Sequence, residues 1–136
     1  MLQAGDKKMP RWDEYKAVAK ERGALALELY VVRSTPIGDP AAVAENLPDH
    51  LAYQRQLEEA GNLVLAGPIS DETGRVMDGS GQIIYRAESM AAARELADSD
   101  PMHQAGAREY SLCKWLINEG SLTISVGLST RNVNLT

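Results

Sequence analysis

Phenylalanine is absent from this chain, and two Trp with five Tyr are its only aromatics. So sparse a set argues against a pocket walled for a flat polycyclic ligand, because rigid aromatic rings supply most of such surfaces. Cysteine occurs once, as Cys113, which excludes an intrachain disulfide and suits a reducing compartment. It stands in an apolar run with no neighbouring His, the setting of a small unreactive core residue. No apolar run reaches the length of a membrane-spanning helix, and the first residues carry two lysines but no hydrophobic signal segment. A membrane partner is therefore not expected, and the expected location is the cytoplasm.

Positive charge is also short. Lys and Arg number 14 against 19 Asp and Glu, a net charge of −5, so the chain as a whole repels phosphate backbones. Lys7, Lys8, Arg11, Lys16, Lys20 and Arg22 cluster near the N-terminus, but Asp13, Glu14 and Glu21 are interleaved with them. That pattern is a solvated helix face, and no nucleic-acid partner is expected. No Cys, His, Asp or Glu residues have metal-ligand spacing, no dinucleotide fingerprint is present, and no nucleophile elbow occurs. Neither a metal nor a cofactor is expected. The run DGSG, Asp78 to Gly81, looks like a phosphate loop, but a strand follows it where a helix is required, so it reads as a turn.

What is present is regular alternation of element types. At 136 residues the chain has the length of one domain. Residues 1–10 read as a polar leader and residues 11–136 as a single domain, with its core over about residues 25–117. RWDEYKAVAKERG predicts a helix with Trp12, Tyr15 and Ala19 on one stripe and Val18 beside it, stopped by Gly23. ALALELYVVRS predicts the first strand, with Leu25, Leu27, Leu29 and Val31 on one face, and TPIGDP breaks it. Asp39-Pro40 starts a short helix to Glu45, and Pro48 opens a longer one that Gly61 ends.

NLVLAGP is the second strand, followed by a long polar connection through Gly81. QIIYRA is the third. ESMAAARELADS is the next helix, with Met90, Ala93, Leu96 and Ala97 at helical spacing, and AREYSLCKWLI is the fourth strand. The order is the α+β, ferredoxin-like βαββαβ arrangement, an antiparallel sheet with both helices on one face. Large apolar residues on both faces of the first and fourth strands predict that a second copy of the chain covers the other face, making a homodimer. In the tail, Leu122, Ile124, Val126 and Leu128 alternate with small polar residues, which predicts a C-terminal strand over residues 121–130.

Candidate chemistry rests on few residues. The two histidines are His50 and His103. His50 is expected in the first turn of the helix after Pro48, on the side shared by Tyr53, Leu57 and Ala60; an isolated histidine there is more often structural than catalytic. His103, after Pro101, is expected to face solvent. Asp100 precedes Pro101, where it leaves the α region and can cap the segment that follows. Spacing alone does not bring Asp100 to His50.

The stretch LPDHLAYQRQLEEAGNLVLAGPISDETG through GSGQIIYRAESMAAARELADSDPMHQAG resembles the YCII-related domain family. The shared features are a His in the first core helix, a closing Gly, GP after the second strand, a glycine-bounded third strand, a helix ending in DP, and a Gly soon after. In this chain they are His50, Gly61, Gly67-Pro68, Gly81, Asp100-Pro101 and Gly106, and the resemblance spans roughly residues 25–115.

It implies a ferredoxin-like, dimeric α+β barrel with a His–Asp pair in a cleft, carried by His50 and Asp100. It further implies a cofactor-independent lyase or isomerase removing a proton from a small, aromatic or lactone substrate. One assigned member type is a dehydrochlorinase acting on a chlorinated hydroxyquinol. Tyr53, Gly67, Pro68 and Arg86 are the candidate substrate-binding residues, with Arg55 a further helper. The added N-terminal helix and C-terminal strand depart from the short family form. The competing reading is a non-catalytic dimeric module, binding a small ligand or a protein, in which the His–Asp pair is structural. A third, a cofactor-free monooxygenase, is disfavoured by the lack of aromatic residues.

Overall fold

The computed structural model describes residues 8–136; the first seven residues of the expected polar leader lie outside the described residues. Two compact units are present: Glu28–Trp115, and the flanking segments that end at Leu27 and begin at Leu116.

The central unit carries β1 (Leu27–Pro36), α-helices over Pro40–Ala60, Met90–Asp98 and Pro101–Gln104, and the further strands β2 (Leu63–Ser70), β3 (Met77–Tyr85) and β4 (Arg108–Ile117). With the N-terminal helix α1 (Trp12–Glu21), the three helices are α2, α3 and α4 in chain order. The sheet order is β2-β3-β1-β4, with β3 antiparallel to both β1 and β2, so β1 and β3 are central. Tyr30 stands opposite Tyr85 and Val32 opposite Ile83, all four on the face that meets the helices. Leu57 of α2 and Ala93 and Ala97 of α3 complete the buried cluster. Small alanines let α3 approach the tyrosine rings closely, which is how a chain without Phe still fills its core.

The alternation in β1 therefore resolves in favour of Tyr30, Val32 and Ser34 as the helix-facing set. On the opposite face Leu29 and Ile84 are buried, while Leu65, Cys113 and Trp115 are exposed. Cys113 is thus not the core residue expected from its apolar neighbours: its parity in β4 turns it away from the helices.

Local signals place most element ends. Asp39 caps α2 by accepting from Ala41 N–H at 2.9 Å, with Pro40 in the first turn. Ser89 caps α3 through Ala92 N–H at 3.0 Å. Gly61 ends α2 in the left-handed conformation at φ 84°. Pro48, however, opens no second helix; α2 is continuous through it. An internal proline removes one hydrogen bond and costs roughly 3 kcal/mol. The helix retains a single inward stripe through Asn46, His50, Tyr53 and Leu57, and that packing outweighs the lost bond.

The long polar connection is also shorter than expected, because β3 begins at Met77 and pairs Ser70 with Met77 across a tight turn. DGSG consequently lies within a strand. Gly79 is required there: φ is +91°, and a Cβ would stand 3.0 Å from Pro36 Cγ.

In the flanking unit, α1 turns Ala19 inward, with Trp12 and Lys16 half-buried on the same stripe. Tyr15, expected on the docking stripe, is exposed, and Arg22 lies 6.0 Å from its ring centre. The tail is a hairpin, not the expected single strand: β5 (Ile124–Val126) pairs antiparallel with β6 (Val133–Leu135). Arg131, at φ 60°, makes the turn between them, with Gly127 N–H bonded to Asn132 O at 2.9 Å.

Candidate active site

The continuous α2 places His50 in mid-helix, not in a first turn, with its side chain 16% exposed on the stripe that ends at Leu57. Across from it, Asp100 has extended backbone angles and caps α4 by accepting from Met102 N–H at 3.0 Å. The same carboxylate, fully buried, lies 2.8 and 2.9 Å from His50 Nδ1 through its two oxygens. A carboxylate can only accept here, so Nδ1 carries a proton and donates it. That leaves the lone pair on Nε2, which has no hydrogen-bond partner among the described residues. Two residues 50 positions apart are brought together, and the imidazole is held in one tautomer.

A second array adjoins the first. Arg108, near the start of β4, donates from Nε to Ser34 Oγ at 2.9 Å, and from Nη2 to Ser34 O at 2.7 Å and Gly79 O at 2.6 Å. Ser34 Oγ is also 2.9 Å from His103 Nε2, and His103 Nδ1 is 2.7 Å from Ala97 O. For the neutral imidazole the proton positions follow from valence. A carbonyl only accepts, so His103 Nδ1 donates to Ala97; its Nε2 then accepts from the Ser34 hydroxyl, whose oxygen accepts from Arg108. His103 is therefore not the solvent-facing residue expected; its ring also packs against Tyr110 at 4.7 Å. Burial lowers the pKa of Arg108, with the Asp100 charge acting in the opposite direction.

The other candidates divide. Tyr53 lies one turn from His50, but its hydroxyl donates to Leu96 O at 2.7 Å. Burial raises its pKa, and so does the Asp100 charge, while a hydrogen bond from Ser99 opposes them. Pro68 pairs with Gly81 and Gly67 with Gln82, at the end of the sheet where Arg108 sits. Arg86 does not join the pair. Its guanidinium donates to Gly61 O at 2.7 Å at the closed end of α2, five residues from Gly81, or roughly 17 Å along an extended strand.

Arg55 is exposed on α2. An open groove of about 270 Å³ runs along residues 68–77, lined by Pro68, Ser70, Arg75 and Met77, and contains neither His50 nor Asp100. Among the described residues no three His, Cys, Asp or Glu side chains gather as a metal site. No helix among the described residues is long and apolar enough to cross a membrane.

Sequence reasoning missed Ser34, His103 and Arg108 as a group. The one available signal was Asp100 and His103 at three-residue spacing, the cap and a member of one short helix; nothing local tied either to residues 34 and 108.

An antiparallel β2-β3-β1-β4 sheet with its helices on one face, and a His–Asp pair between α2 and α4, defines a ferredoxin-like α+β domain with a candidate acid–base site. The model of the YCII-related domain matches residues 28–116, nearly the limits of the central unit, and the chain belongs to that family. Among solved structures it is similar to 5-chloro-2-hydroxyhydroquinone dehydrochlorinase from Burkholderia phenoliruptrix in complex with 2,5-dihydroxybenzoquinone. The TM-score is 0.51 at 23% identity, over 65% of this chain and 93% of that one, a likeness of fold. No curated protein matches the sequence.

Proposed function

We propose that the protein is a cofactor-independent lyase or isomerase, dehydrochlorinase-like in its chemistry, in which His50 removes a proton from a small ring substrate. The contrast between the two histidines carries this reading. His103 has both ring nitrogens engaged by protein, as a structural histidine does, whereas His50 Nε2 has no partner among the described residues and its ring reaches the surface. Asp100 holds the proton on Nδ1, leaving the Nε2 lone pair to accept a proton from the substrate. In this chemistry the substrate proton passes to Nε2, its bonding electrons stay on the ring, and a ring chloride departs with its own bonding pair. The dehydrochlorinase fold neighbour and the family support the class of reaction. A screen of chlorinated and hydroxylated aromatics and of lactones tests it: turnover of at least one by the intact protein, and none by His50→Ala, is expected. Equal turnover by the variant would remove the base from His50.

The active form is proposed to be a homodimer joined through the sheet face opposite the helices. Leu65 and Trp115 are large apolar residues exposed there, and Cys113 stands two residues from Trp115 on the same face. Labelling of Cys113 by a thiol reagent should accelerate on dilution, in step with dissociation followed by sedimentation. A monomer at micromolar concentration with uniformly fast labelling would refute the dimer.

A further inference from the structure

The guanidinium of Arg108 is a half-buried cation whose hydrogen bonds all go to neutral acceptors, and the Asp100 charge reaches it only through space. It has five N–H donors, of which Nε–H and the two on Nη2 meet Ser34 Oγ, Ser34 O and Gly79 O. All three acceptors are neutral. Among the described residues no carboxylate lies at ion-pair distance from it, and Nη1 has no hydrogen-bond partner. A partly desolvated guanidinium with no hydrogen-bonded carboxylate gains a charge-assisted bond from an anion that reaches Nη1.

Its surroundings leave room for one. Gly81 places no side chain on the sheet beside it: a Cβ there would stand 3.8 Å from Arg108 Nη2 and 3.7 Å from Gly67 O. Gly81 thus leaves the sheet bare next to the guanidinium, with the backbone oxygen of Gly67 beside it; on that face its neighbour in β2 is Pro68. The cation is also held still. Ser34 is buried, its hydroxyl proton is committed to His103, and His103 is committed to Ala97, so the fork has a fixed direction before any ligand arrives. Through α4 the same array is joined to Asp100, which caps that helix and orients His50.

From this we infer that the site takes a small ring compound bearing an oxyanion, and that Arg108 is the residue that binds the negative oxygen. The inference rests on His50 as the base and adds the acceptor of the charge that the base creates. When Nε2 takes a proton, the electron pair of the broken bond delocalises onto a ring oxygen. A guanidinium beside that oxygen stabilises it by charge-assisted hydrogen bonding, which a neutral donor does less well. In a chain of net charge −5, an Arg beside Gly81 with no carboxylate at ion-pair distance among the described residues is also the feature that would select anionic over neutral rings.

The test compares two probes of similar size on the full chain by titration calorimetry at neutral pH. One is 2,5-dihydroxybenzoquinone, whose acidic enols are ionised; the other is hydroquinone, which is neutral. The intact protein should bind the anion at least about tenfold more tightly, a preference that weakens with added salt. Arg108→Gln should abolish that preference without changing hydroquinone binding. Arg108→Lys, which keeps the charge and loses the fork, should retain part of it and serves if the Gln variant fails to fold. Equal affinity of the intact protein for the two probes, or no binding of the anion, overturns the inference. So does an Arg108→Gln protein that folds and keeps the full preference. Turnover by His50→Ala bears on the base alone, so the two assignments fail separately.

Discussion

Asp100→Asn should leave a folded protein whose turnover is reduced roughly 10²- to 10⁴-fold, the span usually lost with a positioned acid–base group. The carboxylate uses two acceptor oxygens, one toward Met102 N–H and both toward His50 Nδ1. An amide has one oxygen. If that oxygen stays on Met102, where it also lies 2.8 Å from His50 Nδ1, the amide N–H₂ replaces the second oxygen 2.9 Å from Nδ1 and opposes its proton, which favours the tautomer protonated at Nε2. The base is then gone although the geometry survives. If the oxygen turns to His50 instead, two donors oppose each other at the start of α4, and the cap is lost at about 1 kcal/mol. The tautomer is read directly by long-range ¹H–¹⁵N spectra of His50, and the fold by thermal unfolding. A variant that keeps the Nδ1-protonated form and nearly full turnover would show that the pair is structural.

Tyr85 should give the largest stability effects, with opposite signs for two substitutions. Its side chain is fully buried, and its hydroxyl has no hydrogen-bond partner. Tyr85→Ala removes the ring that stands against Tyr30 at the centre of the cluster and should cost about 3–5 kcal/mol. Tyr85→Phe removes only an unsatisfied polar group and should stabilise by about 1 kcal/mol. Chemical denaturation of the two variants checks both values. A Tyr85→Phe protein less stable than the parent would mean that the hydroxyl is satisfied in solution.

The same residue contributes to stability at alkaline pH. Burial first, and the Asp100, Tyr53 and Tyr110 charges next, push the Tyr85 phenol far above its ordinary value. An unfolded tyrosine ionises near pH 10, so the contribution of the neutral buried phenol is whole below about pH 10 and is lost as the pH rises beyond it. Tyr85→Phe should therefore resist alkaline unfolding better than the parent.

Local signals determined a good deal of this protein. Asp39-Pro40, Ser89 and Asp100-Pro101 each place an extended residue with an acceptor oxygen before helical residues, and each is a helix start in the structure. Gly61 supplies the left-handed stop, and the succession of helical and alternating stretches gives the βαββαβ order. These features need only neighbours a few residues away, which is why they can be read without a fold. The nearness of His50 and Asp100 entered differently, through likeness to a family and not through their spacing.

Only the tertiary structure decided the rest. A period of two does not say which face of β1 is the core when both faces are apolar, and the helices chose Tyr30 and Val32. Propensity ends a helix at Pro48, but the packing of one continuous stripe onto the sheet carries α2 through it. The array of Ser34, His103 and Arg108 joins residues 74 positions apart, and its bonds exist only because β1 lies beside β4 beneath α4. Arg86 was drawn to the wrong end of β3 for the same reason: composition marks a cation, whereas strand direction and register determine what it can reach.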